Sequence, residues 1–188
     1  MKNWFLTAIA VIAVMLSPAA FAYDVGPPVG SQIPTFIAHD AQGKTVKWSE
    51  VTGEKGTVLV FFRSAKWCPF CQSQLISLKD AAAPLQQRGY RLVAISYDAP
   101  EVLADFTKKR AIPYTLLSDN KSAMIDAFKL RDPQYKPDSI AFGVPQPSIF
   151  IISPAGVIQA KLAEEGYKTR PPVDVVLKAV DGVLAGQR

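Results

Sequence analysis

The sequence predicts an α/β fold in which a central mixed β-sheet is flanked by helices and extended by an N-terminal β-hairpin. Three observations carry that expectation. Two continuous apolar runs, 58-VLVFF-62 and 90-YRLVAISY-97, have the length and the β-branched and aromatic content of strands buried on both faces. Between them Leu75, Leu78, Ala82 and Leu85 recur at spacings of three and four, as in a helix packing one face on a sheet. Strand, helix, strand is a βαβ unit, so these two strands are parallel with a right-handed crossover. Further on, 148-SIFIIS-153 and 157-VIQAKLA-163 flank 154-PAG-156. That pattern reads as an antiparallel hairpin and makes the sheet mixed.

The remaining elements follow in order. Lys2, an apolar run from Phe5 to Leu16 and the small-x-small Ala20-Phe21-Ala22 read as a secretory signal, residues 1–22, cleaved after Ala22. The run is too short for a bilayer core of about 30 Å, which needs roughly 20 apolar residues. Residues 23–188 are then a single domain, and 23–34 form an extended lead-in. Thr35–His39 and Lys44–Trp48 bracket 40-DAQG-43 as the N-terminal hairpin. Pro69 suits the first turn of the crossover helix, and Pro84 should kink it or end it early. A short helix starts near Pro100 with Val102, Leu103 and Phe106 inward. A brief strand, 114-YTLLS-118, leads to a helix around Met124, Ile125 and Phe128. Residues 130–147 are Pro-rich and irregular, and Val173, Val176, Leu177, Val180 and Leu184 form the stripe of a closing helix.

Composition narrows the function. The 188 residues are 49% hydrophobic with a net charge of +5, which speaks against disorder. The positive charge is spread along the chain without a basic block, so nucleic acid is not an expected partner. No membrane insertion is expected once the signal is removed.

The two cysteines, Cys68 and Cys71, lie in 63-RSAKWCPFCQSQL-75. A staple closing a four-residue loop stabilises by roughly 2 kcal/mol, against about 4–5 for a loop of 100 residues. A zinc site usually needs four ligands, and the sequence adds only one histidine, His39. No cofactor or metal is implied. A redox pair fits better, because Cys68 stands between a buried strand and a helix opened by Pro69. The positive end of the helix dipole and its free N–H groups stabilise a thiolate there. Lys55, Arg63 and Lys66 surround the pair in sequence, and no acidic residue occurs between Glu54 and Asp80. Cys68 is therefore the expected surface nucleophile and Cys71 the more buried resolving thiol. Trp67 and Phe70 are expected to shield the nucleophile and present an apolar face to a partner.

The segments 30-GSQIPTF-36, 43-GKTVKWSEV-51, 58-VLVFFRSAKWCPFCQSQL-75, 90-YRLVAISYD-98, 114-YTLLSDN-120, 147-PSIFIISPAGVI-158 and 166-GYKTRPPVDVVL-177 resemble, in order, the thioredoxin-fold redoxins. The resemblance is to the alkyl hydroperoxide reductase and thiol-specific antioxidant branch, and it implies a thioredoxin-like fold and a thiol-dependent oxidoreductase. The last segment resembles a Tyr-x-x-Arg-Pro stretch of a peroxiredoxin-like subgroup, which draws attention to Tyr167 and Arg170. The motifs are mixed. Peroxiredoxins place Pro seven residues and Thr or Ser three residues before their reactive cysteine; here those positions hold Phe61 and Ala65. The family's Arg before its Phe-Ile-Ile strand falls on Pro147. Pro147 instead resembles the thioredoxin-type cis-proline, which would leave the backbone of Gln146 free to pair with a substrate chain.

Three functions remain open. The one the sequence favours is thiol–disulfide exchange by Cys68 and Cys71 in the cell envelope, in a periplasmic or secreted protein, with protein or small-molecule thiols and disulfides as partners. The alternative is a peroxiredoxin-like peroxidase acting on hydroperoxides, in which Cys68 becomes a sulfenic acid that condenses with Cys71. The third is a non-catalytic binding module that keeps the fold.

Overall fold

The structure is a computed structural model that describes residues 23–186; the expected signal segment, 1–22, lies outside the described residues. A seven-stranded sheet forms the centre, in the order β2-β1-β5-β4-β3-β6-β7. Its strands are β1 (Ala38–His39), β2 (Thr45–Val46), β3 (Gly56–Phe61), β4 (Tyr90–Ser96), β5 (Thr115–Ser118), β6 (Ser148–Ile152) and β7 (Ile158–Ala163). The β3/β4 and β4/β5 pairs are parallel. The β3/β6 and β6/β7 pairs are antiparallel. The N-terminal hairpin joins the far edge through an antiparallel β1/β5 contact.

The helices are α1 (Trp48–Val51), α2 (Pro69–Ser77), α3 (Lys79–Gln87), α4 (Pro100–Arg110), α5 (Ala123–Ala127) and α6 (Val173–Ala185). Side-chain alternation along the buried strands divides the core into two layers. Val58, Val60, Leu92, Ala94, Ile149 and Ile151 face α2, α3, α4 and α6. Leu59, Phe61, Val93, Ile95, Phe150 and Ile152 pack against residues of α1 and α5 on the other face. Each strand of the middle therefore buries both faces, which is why it reads as an unbroken apolar run.

Several expected boundaries shift. The hairpin strands are two residues each, and Trp48 opens α1 instead of ending a strand. The crossover helix breaks at Leu78, whose carbonyl accepts the Ala81 N–H at 3.0 Å, and Pro84 sits inside α3. Pro84 offers no N–H to the carbonyl of Asp80, but both lie within α3, so the helix is interrupted one turn ahead of the position that the proline disturbs. Gly56 opens β3 at φ 132°, and a Cβ there would lie 2.0 Å from the Ile152 carbonyl oxygen. Glycine is thus required where β3 meets β6.

Candidate active site

The site lies just beyond the C-terminal ends of parallel strands β3 and β4, the usual position for function in an open α/β sheet. After Phe61 the chain turns through Arg63–Trp67 and delivers Cys68 as the N-cap of α2. Cys68 and Cys71 form a disulfide. The Cys68 Sγ accepts the Cys71 backbone N–H at 3.3 Å, so one of the helix's unpaired N–H groups points at sulfur. Both residues are buried, Cys68 at 2% exposure. The expectation of a surface thiol is corrected: the surrounding loop and rings cover both sulfurs in the disulfide state.

The turn is held by Asp98, at the end of β4. Its carboxylate accepts Ser64 Oγ at 2.7 Å, the Ala65 N–H at 2.6 Å and Ser96 Oγ at 3.0 Å. Ser64 Oγ in turn accepts the N–H groups of Lys66 and Trp67. Asp98 is thereby linked through Ser64 to the residue before Cys68. Burial raises its pKa, against the hydrogen bonds to Ala65, Ser64 and Ser96 that lower it. The sign for stability follows. A carboxyl raised in the fold contributes stability that is complete below its unfolded value of about 4 and lost as pH rises through the folded value. Asp119 is raised in the same way by burial. We therefore expect urea midpoints to fall as pH rises above about 4, and Asp98→Asn to flatten part of that fall; an unchanged slope in the variant would count against a buried, strained ionisation at Asp98.

Aromatic rings and cations surround the pair. Trp67 Nε1 donates to Tyr97 Oη at 2.8 Å, and Tyr97 Oη donates to the Ile140 carbonyl at 2.8 Å. Phe70 is 39% exposed and meets Tyr167 edge-on, with ring centroids 6.0 Å apart. Arg63 is buried at 2% exposure among the rings of Tyr167, Tyr135 and Trp67, at 4.4, 4.8 and 5.2 Å. Its guanidinium also donates to Tyr135 Oη. Arg170 reaches the other side: Nε donates to Gln74 Oε1 at 3.0 Å, and an Nη lies 3.5 Å from Cys71 Sγ. Burial, and then the charge of Arg63, lower its pKa to about 10. Beyond Arg170 opens a cleft of about 230 Å³ bordered by Phe70, Gln74, Leu78, Pro172 and Val173.

Sequence reasoning placed Cys68, Cys71, Trp67 and Phe70 together, and the structure does the same. Three expectations change. Lys55 precedes β3 and bonds Gly89, so a six-residue strand at about 3.3 Å per residue puts it roughly 20 Å from the pair. The described residues contain no cis peptide bond, so Pro147 is trans and not a thioredoxin-type cis-proline. The backbone of Gln146 is not free either. Its N–H donates to the Leu130 carbonyl at 2.7 Å and its carbonyl accepts Ser148 Oγ, because residues 130–132 and 144–146 stitch the irregular segment together. Asp98, Tyr97 and Tyr135 were not anticipated. Asp98 had a usable signal, since it ends a parallel strand beside the one that carries the cysteines; Tyr135, in an irregular loop, had none.

A mixed sheet of this order carrying a Cys-x-x-Cys disulfide at a helix N-terminus defines a thioredoxin-fold protein. Comparison with known proteins narrows the class. The chain belongs to the AhpC/TSA family, whose pattern it matches over residues 29–161. It is 32% identical over 99 residues to peroxiredoxin Bcp of Escherichia coli, covering 53% of this chain and 62% of that protein. It is 27% identical over 154 residues to chloroplastic peroxiredoxin Q of Populus jackii, covering 82% and 68%. Among solved structures, peroxidoxin BcpB of Mycobacterium tuberculosis superposes with a TM-score of 0.69 at 21% identity, over 84% of this chain and 96% of the other. The chain spans less than two thirds of the length of several curated relatives it matches.

Proposed function

We propose that the protein is a thiol peroxidase in which Cys68 reduces hydroperoxides and Cys71 resolves the product. The observation that carries this reading is the placement of Cys68 as N-cap of α2, its sulfur accepting the Cys71 N–H and bonded to Cys71. The helix terminus stabilises negative charge on sulfur. The Cys68 thiolate attacks the hydroperoxide, the O–O bond breaks, and the alcohol or water leaves with a proton. The Cys68 sulfenic acid then condenses with the Cys71 thiol, releasing water and closing the disulfide. A thiol reductant restores the dithiol by two exchange steps. Family membership and peroxiredoxin relatives support this choice over disulfide exchange.

Thiol–disulfide exchange, the reading the sequence favours, becomes the second one and keeps that place on one observation. Phe61, Ala65 and Pro147 stand where the peroxiredoxin pattern has Pro, Thr or Ser, and Arg: Phe61 is in the core, and the Ala65 N–H is taken by Asp98. The test is to mix reduced protein with hydrogen peroxide and, separately, with a small disulfide. Fast, saturating thiol loss with peroxide, and a sulfenic acid trapped at Cys68 in Cys71→Ser, are expected. Thiol loss with the disulfide alone would reverse the order. On either reading Trp67 and Phe70 form the apolar rim that meets the partner.

The protein acts outside the cytoplasm on this proposal, after removal of residues 1–22. Protein isolated from the cell envelope or medium should begin at Tyr23; a chain retaining Met1 there would sink the export reading.

A further inference from the structure

Burying a guanidinium is costly unless an anion or a full set of acceptors goes with it. Arg63 has neither. It is 2% exposed, and it takes part in none of the ion pairs among the described residues. Its hydrogen-bond acceptor is a tyrosine hydroxyl, and its Nε is the one buried side-chain nitrogen or oxygen, among the described residues, without a hydrogen-bond partner. Arg170 differs in being half-buried and hydrogen-bonded through Nε and both Nη atoms, but it too lacks an anion. Its acceptors are Gln74 Oε1, the carbonyls of Tyr167 and Thr169, and the Cys71 sulfur, all neutral. Two guanidiniums thus meet at Tyr167, Arg63 over its ring and Arg170 on its carbonyl, and Arg170 also reaches the disulfide at Cys71 Sγ.

The charged groups nearby do not supply one. Lys66 and Lys168 add positive charge, with the Lys168 Nζ 5.9 Å from the Tyr167 ring. Asp98 is engaged by Ser64, Ala65 and Ser96, and neither Glu164 nor Glu165, just before Tyr167 in the chain, forms an ion pair with either arginine among the described residues. Burial raises the pKa of the Tyr97 hydroxyl, which keeps it neutral. The groups left that can become anionic at neutral pH are the sulfurs of Cys68 and Cys71, and only when the disulfide is open.

We propose that Arg63 and Arg170 form a redox-linked counter-charge site whose missing anion is the thiolate created when the Cys68–Cys71 disulfide opens. A thiolate of a dithiol reductant attacks one sulfur, the S–S bond breaks, and its electron pair leaves on the other sulfur as thiolate. The reductant's second thiol then displaces the mixed disulfide, so the reductant ends as a disulfide and the pair as one thiolate and one thiol. The two cations lower the energy of that product and leave the disulfide form, which has no negative charge, unaided. They therefore hold the pair toward its reduced, reactive state. This takes over, from the loop before Cys68 and the loop before α6, the positive charge that is absent at Pro147. It rests on the reading of the pair as a redox centre, and not on the identity of the oxidant.

The experiment titrates the reduced protein by thiolate ultraviolet absorbance and equilibrates it with glutathione buffers, with no hydroperoxide present. The variants are Arg63→Met, Arg170→Met and Arg63→Lys. In each Met variant the lower thiol pKa of the pair should rise by about one unit, and the disulfide-to-dithiol ratio at a fixed buffer should rise by about tenfold. Arg63→Lys should retain most of both. Normal titration and redox equilibrium in Met variants that are merely less heat-stable would mean that the arginines only pack the loop, and the proposal fails. If a Met variant does not fold, the unaltered protein decides. Its Arg63 Nε–H resonance should move to lower field and exchange more slowly on reduction, and an identical resonance in both redox states would overturn the proposal. A protein with these shifts but inert to peroxide would sink the peroxidase reading and leave this site standing; a peroxide-reactive protein without them would do the reverse.

Discussion

Replacing Cys68 with serine should abolish hydroperoxide turnover, a loss on the order of 10⁴-fold or more, the scale on which removing a covalent nucleophile acts. The hydroxyl is not ionised near neutral pH and cannot take up oxygen as a sulfenic acid, so neither half of the cycle can start. The fold should tolerate the change. Serine is among the favoured N-cap residues, and its oxygen can accept the Cys71 N–H that the sulfur accepts at 3.3 Å. The lost disulfide closes four residues, worth roughly 2 kcal/mol, so the melting temperature should fall by about 4–8 °C at most for a chain of this size. Cys71→Ser should behave differently: one equivalent of peroxide consumed per chain, a stable oxidised Cys68, and turnover only when an external thiol resolves it. The assay is peroxide consumption with mass measurement of each variant. Retained turnover in Cys68→Ser would place the chemistry elsewhere.

Phe150→Ala should produce the largest loss of stability, about 3–5 kcal/mol. The ring is fully buried in β6. It packs edge-to-face on Phe61 at 5.9 Å and on Phe128 at 5.4 Å between centroids, tying β3, β6 and the end of α5 together. The lead-in rests on it too, since a Cβ at Gly26 would meet the tip of the ring at 2.7 Å. The loss therefore combines lost burial with a cavity walled by elements that cannot all close in. A stability of 5–15 kcal/mol is usual for a domain, so the variant would remain folded only with little margin. The ring belongs to the core layer away from the cysteines, and activity per folded molecule should be unchanged. A shifted urea midpoint at constant slope measures the effect; a change under about 1 kcal/mol would mean that the surrounding chain refills the space.

What could be read in advance was local. The βαβ unit, the C-terminal hairpin and the helix stripes are patterns of period 3.6 or 2 or continuous apolar runs, set by which neighbours share a face. The cysteine pair was legible for the same reason, since its two members lie within one helical turn of a strand-to-helix junction. Boundaries were less so. The helix broke at Leu78, ahead of the turn that Pro84 disturbs, and the hairpin shrank because Trp48 packs against Phe36 as part of α1.

The sequence by itself determined the α/β class, the crossover, the position of Cys68 and Cys71 at a helix start, and the departure from the peroxiredoxin Pro and Thr/Ser pattern at Phe61 and Ala65. Only the tertiary structure decided what surrounds the sulfurs. Arg170 reaches Cys71 across 99 residues of chain, Tyr135 meets Arg63 across 72, and Asp98 grips Ser64 across 34. Those meetings depend on how strands β3, β4 and β6 align and where the loops return. The same closure placed Lys55 at the wrong end of its strand and engaged the backbone of Gln146. A pattern of neighbours specifies which face of an element is apolar; it does not specify which distant charge comes to rest beside a disulfide.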